Sequence, residues 1–429
     1  MADCPLLNHT EQTHEQNPQN LEEERLDKSI RRLELFLCLL GFKQTSVLSF
    51  FLSWVVFLVI GVSIPVVLLE IFNCSDCESF QIKGFELDVV VSQAILTAVS
   101  LFCVSHNLSK HGIRKLLFID RLNSSETARF RDDYNQKISD SIRLLTLWIL
   151  PCAILKTARE VALVSYVHDS WWLSVISSSV LIISWTYVIM IYLSSCILFH
   201  LVCNLQITHF DDYGKRMPRE SDILILLEEH ILLRHHLSKI SHRFRIYFLL
   251  VFVLVTASQF VTLLQTTGYT GTITIINSGD FAISSIVQVA GLVICLNAAA
   301  KISHRAQGIA ALATRWHATA TCSSDDVSQL RISDNIRNLR SSSMGSSGSD
   351  LELLGLDFIE WPVNNQSSCT PAHHKRQAFV MYLQTNPGGI TLYGWKVDRE
   401  LINTFFFIEL TLILFVLGET VVLASGGPI

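Results

Sequence analysis

The sequence predicts an all-α membrane protein of seven transmembrane helices, with a cytosolic N-terminus and a short extracellular C-terminal tail. Three observations predict it. Half of the 429 residues are apolar and 17% are charged, where soluble proteins carry about 25% charged residues. Seven stretches, near 47–72, 87–105, 142–166, 171–203, 246–267, 281–300 and 401–424, are long and apolar enough to cross about 30 Å of hydrocarbon. Basic residues alternate along the chain. Five precede the first stretch, seven lie in 106–141, seven in 204–245 and ten in 301–400, whereas 73–86, 167–170, 268–280 and 425–429 hold Lys83 alone. Segments rich in Lys and Arg stay on the cytosolic side.

Each element follows from the same reading. Residues 1–20 are polar and acidic, without the apolar core of a leader, and are expected to be a disordered cytosolic tail. Within 21–44, "LEEERLDKSIRRLELFLCLLGF" has the period of an amphipathic helix and is expected along the inner membrane surface. Residues 45–321 hold the first six spans and their cytosolic extensions. The fourth span runs on through "HLVCNLQITHFDDYG", and 221–265 contains neither Pro nor Gly. One helix, capped by Ser221 or Asp222, is therefore expected to pass from the cytosol into the fifth span. On it Leu226, Leu233 and Leu237 share a face and are expected in an anchor joining subunits. Residues 322–374 read as a Ser-rich disordered cytosolic loop, 375–400 as a cytosolic helix and turn, 401–424 as the last span and 425–429 as the outer tail.

Several chemistries are disfavoured. The net charge of −5 and the lack of a basic domain argue against nucleic acid. Phosphate-binding loops, HExxH and a Ser/His/Asp order are missing, so no enzyme and no cofactor is expected. His230, His235 and His236, with the pair His373-His374, fall short of the clusters that a membrane di-iron centre needs. They read as packed or solvated side chains, and no metal is expected. In the first outer loop Asn73 begins a glycosylation sequon. Cys74 and Cys77 read equally as a small disulfide or as two thiols.

Two sets of intramembrane charges remain. On the third span Lys156 and Glu160 are four apart and can pair on one helix face, while Arg159 adds positive charge. Two readings stay open: a buried ion pair that fixes packing, or the polar wall of a ligand pocket open to the outside. In the second, Trp171, Trp172, Gln93, Gln265 and Gln288 would lie nearby. On the last span Glu409, Ile413, Val416 and Thr420 fall within about 60° of one another, flanked by Leu412 and Glu419. Carboxylates at each end of an aliphatic column suit a helix lining a cation pore. The alternative is that each glutamate hydrogen-bonds between helices.

The run "AFVMYLQTNPGGITLYGWKVDRELINTFFFIELTLILFVLGETVV", 378–422, resembles the C-terminal region of the insect gustatory and odorant receptor superfamily. There a short cytosolic helix, a Gly-aromatic-x-aliphatic-Asp/Asn turn (here Gly394, Trp395, Val397 and Asp398) and the last span follow in order. The whole chain is similar to the plant gustatory-receptor-like proteins, which share this plan. The resemblance implies a homotetrameric, ligand-gated, non-selective cation channel seated in the lipid bilayer of the plasma membrane. Subunits would meet through the last helix and the cytosolic helices, and the ligand would be a small molecule. Insect gustatory receptors carry Thr-Tyr, five hydrophobic residues and Gln-Phe in the last span. Here the run is Thr411-Leu412, Ile413 to Leu417, then Gly418-Glu419. A non-conducting receptor or scaffold and a small-molecule transporter are the alternatives.

A protease site placed after Ile429 is expected to be cut only from outside intact cells, and one placed within 322–350 only from the cytosol. Reversed accessibility would overturn the orientation drawn from the basic residues.

Overall fold

The structure is a computed structural model that describes residues 18–44, 46–71, 80–118, 127–166, 171–220, 222–268, 275–322, 370–408 and 410–411. Six helical stretches among them are long and apolar enough to cross a membrane: Val47–Glu70, Glu86–Leu116, Arg131–Ala162, Trp172–Arg216, Ile223–Thr262 and Ala282–Thr321. They match the first six stretches expected from the sequence and run further at the end rich in basic residues. The protein is an all-α membrane protein.

The first helix, α1 (Pro18–Leu39), begins inside the tail expected to be disordered. Leu26, Ile30, Leu33 and Leu37 are buried, a spacing of four, three and four that makes one helical stripe. That stripe packs on α5 (Thr127–Tyr166), and the Ser29 hydroxyl donates to Asn135 at 2.5 Å. The apolar face expected to rest on the membrane is thus covered by protein, while Leu35 and Leu39 remain exposed on the other side. The helix stops at Gly41, whose φ of +83° suits a residue without Cβ. The N–H groups of Gly41 and Phe42 bond the carbonyls of Cys38 and Leu37 at 3.0 and 2.9 Å, which satisfies carbonyls that the last turn would otherwise leave open.

The first span contains a π-helical stretch. Ser46 accepts from the Leu48 N–H at 3.2 Å and caps α2 (Val47–Val56). Phe57–Ser63 is π-helical, and α3 (Ile64–Ile71) completes the crossing. The Ile64 N–H reaches back five residues to the Val59 carbonyl. In that register the Ile60 carbonyl would need the N–H of residue 65, which is a proline and has none. The Ser184 hydroxyl of the central helix fills the gap by donating to Ile60. A wide turn in lipid is tolerated where a neighbour satisfies its backbone.

The remaining long helices are α4 (Phe80–Leu116), α5, α6 (Trp171–Arg216), α7 (Ile223–Gly268) and α8 (Ile275–Cys322). The centre is α6, which packs on α8, α5 and α4. Its most apolar stretch is 83% buried, against 17% for the first span, as expected of a helix apolar on all sides. Buried tyrosines tie it to its neighbours. Tyr192 donates to the Gln288 carbonyl at 2.7 Å, Tyr213 donates to the Leu226 carbonyl at 3.0 Å, and His209 lies 2.6 Å from the Tyr134 hydroxyl. As the sequence predicts, α7 is one unbroken helix.

At the end rich in basic residues, α9 (Thr370–Thr385) starts inside the segment expected to be a disordered loop and packs on α8 and α7. A small hairpin follows, β1 (Thr391–Leu392) antiparallel to β2 (Trp395–Lys396), with Leu392 opposite Trp395. Its two turn residues, Tyr393 and Gly394, have φ of +49° and +92°, the sign a tight hairpin turn requires. Ser303 and Ser241 hydroxyls accept from the Ile390 and Thr391 N–H groups at 3.0 and 3.1 Å, which fixes the hairpin on α8 and α7. The last helix, α10 (399–408), begins after Asp398, whose carboxylate accepts from the Arg399 N–H at 2.8 Å.

Leu226, Leu233 and Leu237 are buried within the chain itself, and Leu237 lies under the Gly388 backbone. They hold the projecting helices of one subunit together and leave Leu224, Ile225 and Ile231 as the exposed apolar side chains of that part of α7. His230 is buried beside Tyr213 and Tyr382, with ring centroids 6.0 and 5.7 Å away.

Gly41 and Gly112 make a matched pair. Both have positive φ, but a Cβ on Gly41 would overlap Ser53, whereas one on Gly112 meets nothing within 4 Å. Gly112→Ala is expected to cost about 1–2 kcal/mol from backbone strain alone. Gly41→Ala is expected to cost roughly 1–3 kcal/mol more from overpacking. Thermal unfolding in detergent checks this, and equal losses would mean that the α1–α2 turn can open freely.

Candidate functional site

At the end of the bundle poor in basic residues, α4, α5 and α8 place five acidic and basic side chains in a row. Lys156 on α5 pairs with Asp280 on α8 and, at 3.1 Å, with Glu160 one turn along its own helix. Glu160 also accepts from Arg159 at 2.7 Å, and Arg159 reaches Glu86 on α4. The order is therefore Asp280, Lys156, Glu160, Arg159, Glu86, with charges alternating in sign and a carboxylate at each end. Four of the five side chains are less than 10% exposed, and Glu86 is 18% exposed. Unpaired charges at this burial would be very costly; each here has an opposite neighbour.

The row forms one side of a pocket whose other walls come from the first span and from α6. Along α4 the lining residues Glu86, Val89, Val90 and Gln93 fall on one helical face, so the wall passes from charged to apolar to amide. At the amide end Gln93 donates to the Ser284 hydroxyl at 2.5 Å. Gly61, Leu181, Trp185 and Val188 line the opposite side. Burial leaves the Trp185 indole N–H without an acceptor among the described residues.

Gln93, Lys156, Arg159 and Glu160 all reach this pocket. Gln288 adjoins it, donating to Ser284 at 3.5 Å. Gln265 lies elsewhere and donates to the Asp88 carboxylate, and Trp172 is 64% exposed. Trp171 opens α6, and its side chain lies outside the described residues. So do Asn73, Cys74, Cys77, Glu409, Leu412, Ile413, Val416, Glu419 and Thr420. Arg159 does not stand alone: Glu86 and Asp280 join Glu160, so among the described residues of the row three carboxylates face Lys156 and Arg159.

Glu86 and Asp280 are the members that sequence reasoning missed. Each stands at the basic-poor end of its helix, Glu86 24 residues before Lys110 and Asp280 21 residues before Lys301. The available signal was physical. Two cations set inside a span need counter-charges at the same depth, and these carboxylates occupy that depth on the second and sixth spans.

The described part of the last helix is differently placed. Phe405 packs on Phe252 with ring centroids 4.3 Å apart, while Phe406, Phe407, Ile408 and Leu410 are exposed. No described residue covers that face.

The chain is a multi-pass helical bundle with a charged and apolar pocket at the basic-poor end of its spans. The chain belongs to the family described as protein of unknown function (DUF3537), whose model matches residues 28–408. No curated protein matches it. Among solved structures it is similar to the insect olfactory receptor OR5 from Machilis hrabei in complex with eugenol. That likeness has a TM-score of 0.52 at 12% identity and covers 92% of this chain and 98% of the receptor. The same receptor in a second structure gives 0.52 at 13% identity, covering 91% and 97%. The chain therefore has an insect-olfactory-receptor-like fold.

Lys156→Met should strand Asp280 in the bundle and cost about 3–5 kcal/mol. Adding Asp280→Asn should return about 1–2 kcal/mol of that loss, because the two sites share one interaction. Unfolding midpoints of both variants in detergent give the comparison; additive losses would mean the pair does not couple.

Proposed function

We propose that the protein is a chemoreceptor-like, ligand-gated, non-selective cation channel. It resembles the plant gustatory-receptor-like proteins and assembles as a homotetramer in the plasma membrane. The whole-chain likeness to an insect olfactory receptor, covering 92% of this chain, carries the proposal. The positive-inside asymmetry supports a cytosolic N-terminus, a seventh span at 401–424 and an outer position for the pocket. The pocket is the ligand site of this reading. Its walls come from the first span with its π-helical turn and α6 on one side and from α4, α5 and α8 on the other.

The exposed aromatic face of the last helix supports assembly, since Phe406 and Phe407 would be covered by lipid or by neighbouring copies. The column of Glu409, Ile413, Val416 and Glu419 then faces the shared axis. Four copies of each glutamate make acidic rings that attract cations, and the aliphatic residues between form a constriction that gates by dewetting.

Purified protein in planar bilayers tests this. Val416→Ser should wet the constriction and raise resting current, and Glu419→Gln should weaken cation over anion preference at asymmetric salt. If the wild type conducts and both variants behave like it, these residues do not line the pore. Ligand binding without current in any condition would favour a non-conducting receptor.

A further inference from the structure

We infer that the pocket between the first span, α4, α5, α6 and α8 selects a small organic cation: an amine whose apolar body ends in a hydrogen-bond acceptor. The inference rests on reading this pocket as the ligand site. Its first support is the order of the ion row. Glu160 in the middle contacts two cations, Lys156 and Arg159, while Asp280 and Glu86 at the ends each have one of them. An alternating row that ends on carboxylates at both ends has room for positive charge and none for negative.

The surrounding charge agrees. Segments 73–86, 167–170 and 268–280 carry Asp76, Glu78, Glu86, Asp169 and Asp280 against Lys83, an acidic excess along the segments that join the spans at this end. The second support is Trp185. It lines the same pocket and is 7% exposed, and its indole N–H is buried without an acceptor among the described residues. A buried donor left open in a pocket is matched by a ligand oxygen. The same pocket is lined by Val89, Val90, Leu181 and Val188, which suit an aromatic or aliphatic body.

Three probes of one shape test the inference: tyramine, tyrosol and 4-hydroxyphenylacetate, which differ in carrying an ammonium, a hydroxyl or a carboxylate. Binding to the full chain in nanodiscs is measured by calorimetry at neutral pH. Tyramine is expected to bind, tyrosol about tenfold more weakly, and 4-hydroxyphenylacetate not at all. Glu86→Gln leaves Arg159 its contact with Glu160, so the fold is kept while the preference of tyramine over tyrosol disappears. Trp185→Phe should weaken tyramine but leave phenethylamine, which lacks the phenol oxygen, unchanged. Equal binding of tyramine and tyrosol, no binding of any probe, or a preference that survives Glu86→Gln overturns the inference. Currents separate the two readings. Tyramine bound by these rules without gating current upholds the cation site and removes the channel. Current gated equally by tyramine and tyrosol does the reverse.

Discussion

Everything at the basic-poor end of the bundle depends on one constraint: two cations on α5 must not be left alone in a poorly solvated interior. Lys156 and Arg159 lie on one helix, but their end partners, Asp280 and Glu86, come from α8 and α4. Satisfying the charges therefore sets where three helices stand relative to one another. A row of this kind adds little net stability, because desolvation consumes most of the attraction. Its effect is on specificity. Rotating α4 or α8 about its axis would bury an unpaired carboxylate, so rotated packings are penalised far more than the native one is favoured. Lipid offers no hydrophobic force between helices, which leaves the register of this end to polar contacts such as these and the Gln93–Ser284 bond.

The opposite end is organised differently. There the helices leave the apolar stretch and continue, and packing is by buried Leu, Phe and Tyr. Phe199 meets Phe244 and Phe248 with centroids 5.0 and 4.5 Å apart, and Leu226, Leu233 and Leu237 close the gap to α9 and the hairpin. In water such burial is worth about 1.5–3 kcal/mol per side chain. One end is thus held by apolar area and the other by matched charge. The end held by charge encloses the pocket.

How much of this was legible follows from what each signal measures. Span positions and the unbroken α7 were readable, because hydrophobic length and missing Pro and Gly act locally. The pair Lys156 and Glu160 was readable for the same reason, being one turn apart. Glu86 and Asp280 were not found, since their partners lie 73 and 124 residues away in the chain, and spacing carries no information across helices. The role of α1 was half legible. Its stripe at 26, 30, 33 and 37 was visible, but a stripe does not say whether lipid or α5 covers it. The three leucines of α7 show the same limit: the shared face was correct, and the partner was the chain itself. Trp172 was named for its ring, yet its side chain points away from the interior, while Trp185, thirteen residues on, lines the pocket.

The π-helical turn of the first span connects these observations. A proline at residue 65 removes one N–H, the helix widens at Phe57–Ser63, and the Ile60 carbonyl is completed by Ser184 of α6. Gly61 in that turn lies against Val188 of α6, where an added Cβ would sit 3.1 Å from the valine methyl. Both Gly61 and Val188, with Pro65 and Ser184, line the pocket. The first span therefore meets the central helix where its own hydrogen bonding is incomplete, and the Ser184 hydroxyl closes the backbone there. The charged wall across the pocket is fixed by four ion pairs. A charged wall tied across three helices thus faces an apolar one whose backbone is completed by a single neighbouring hydroxyl.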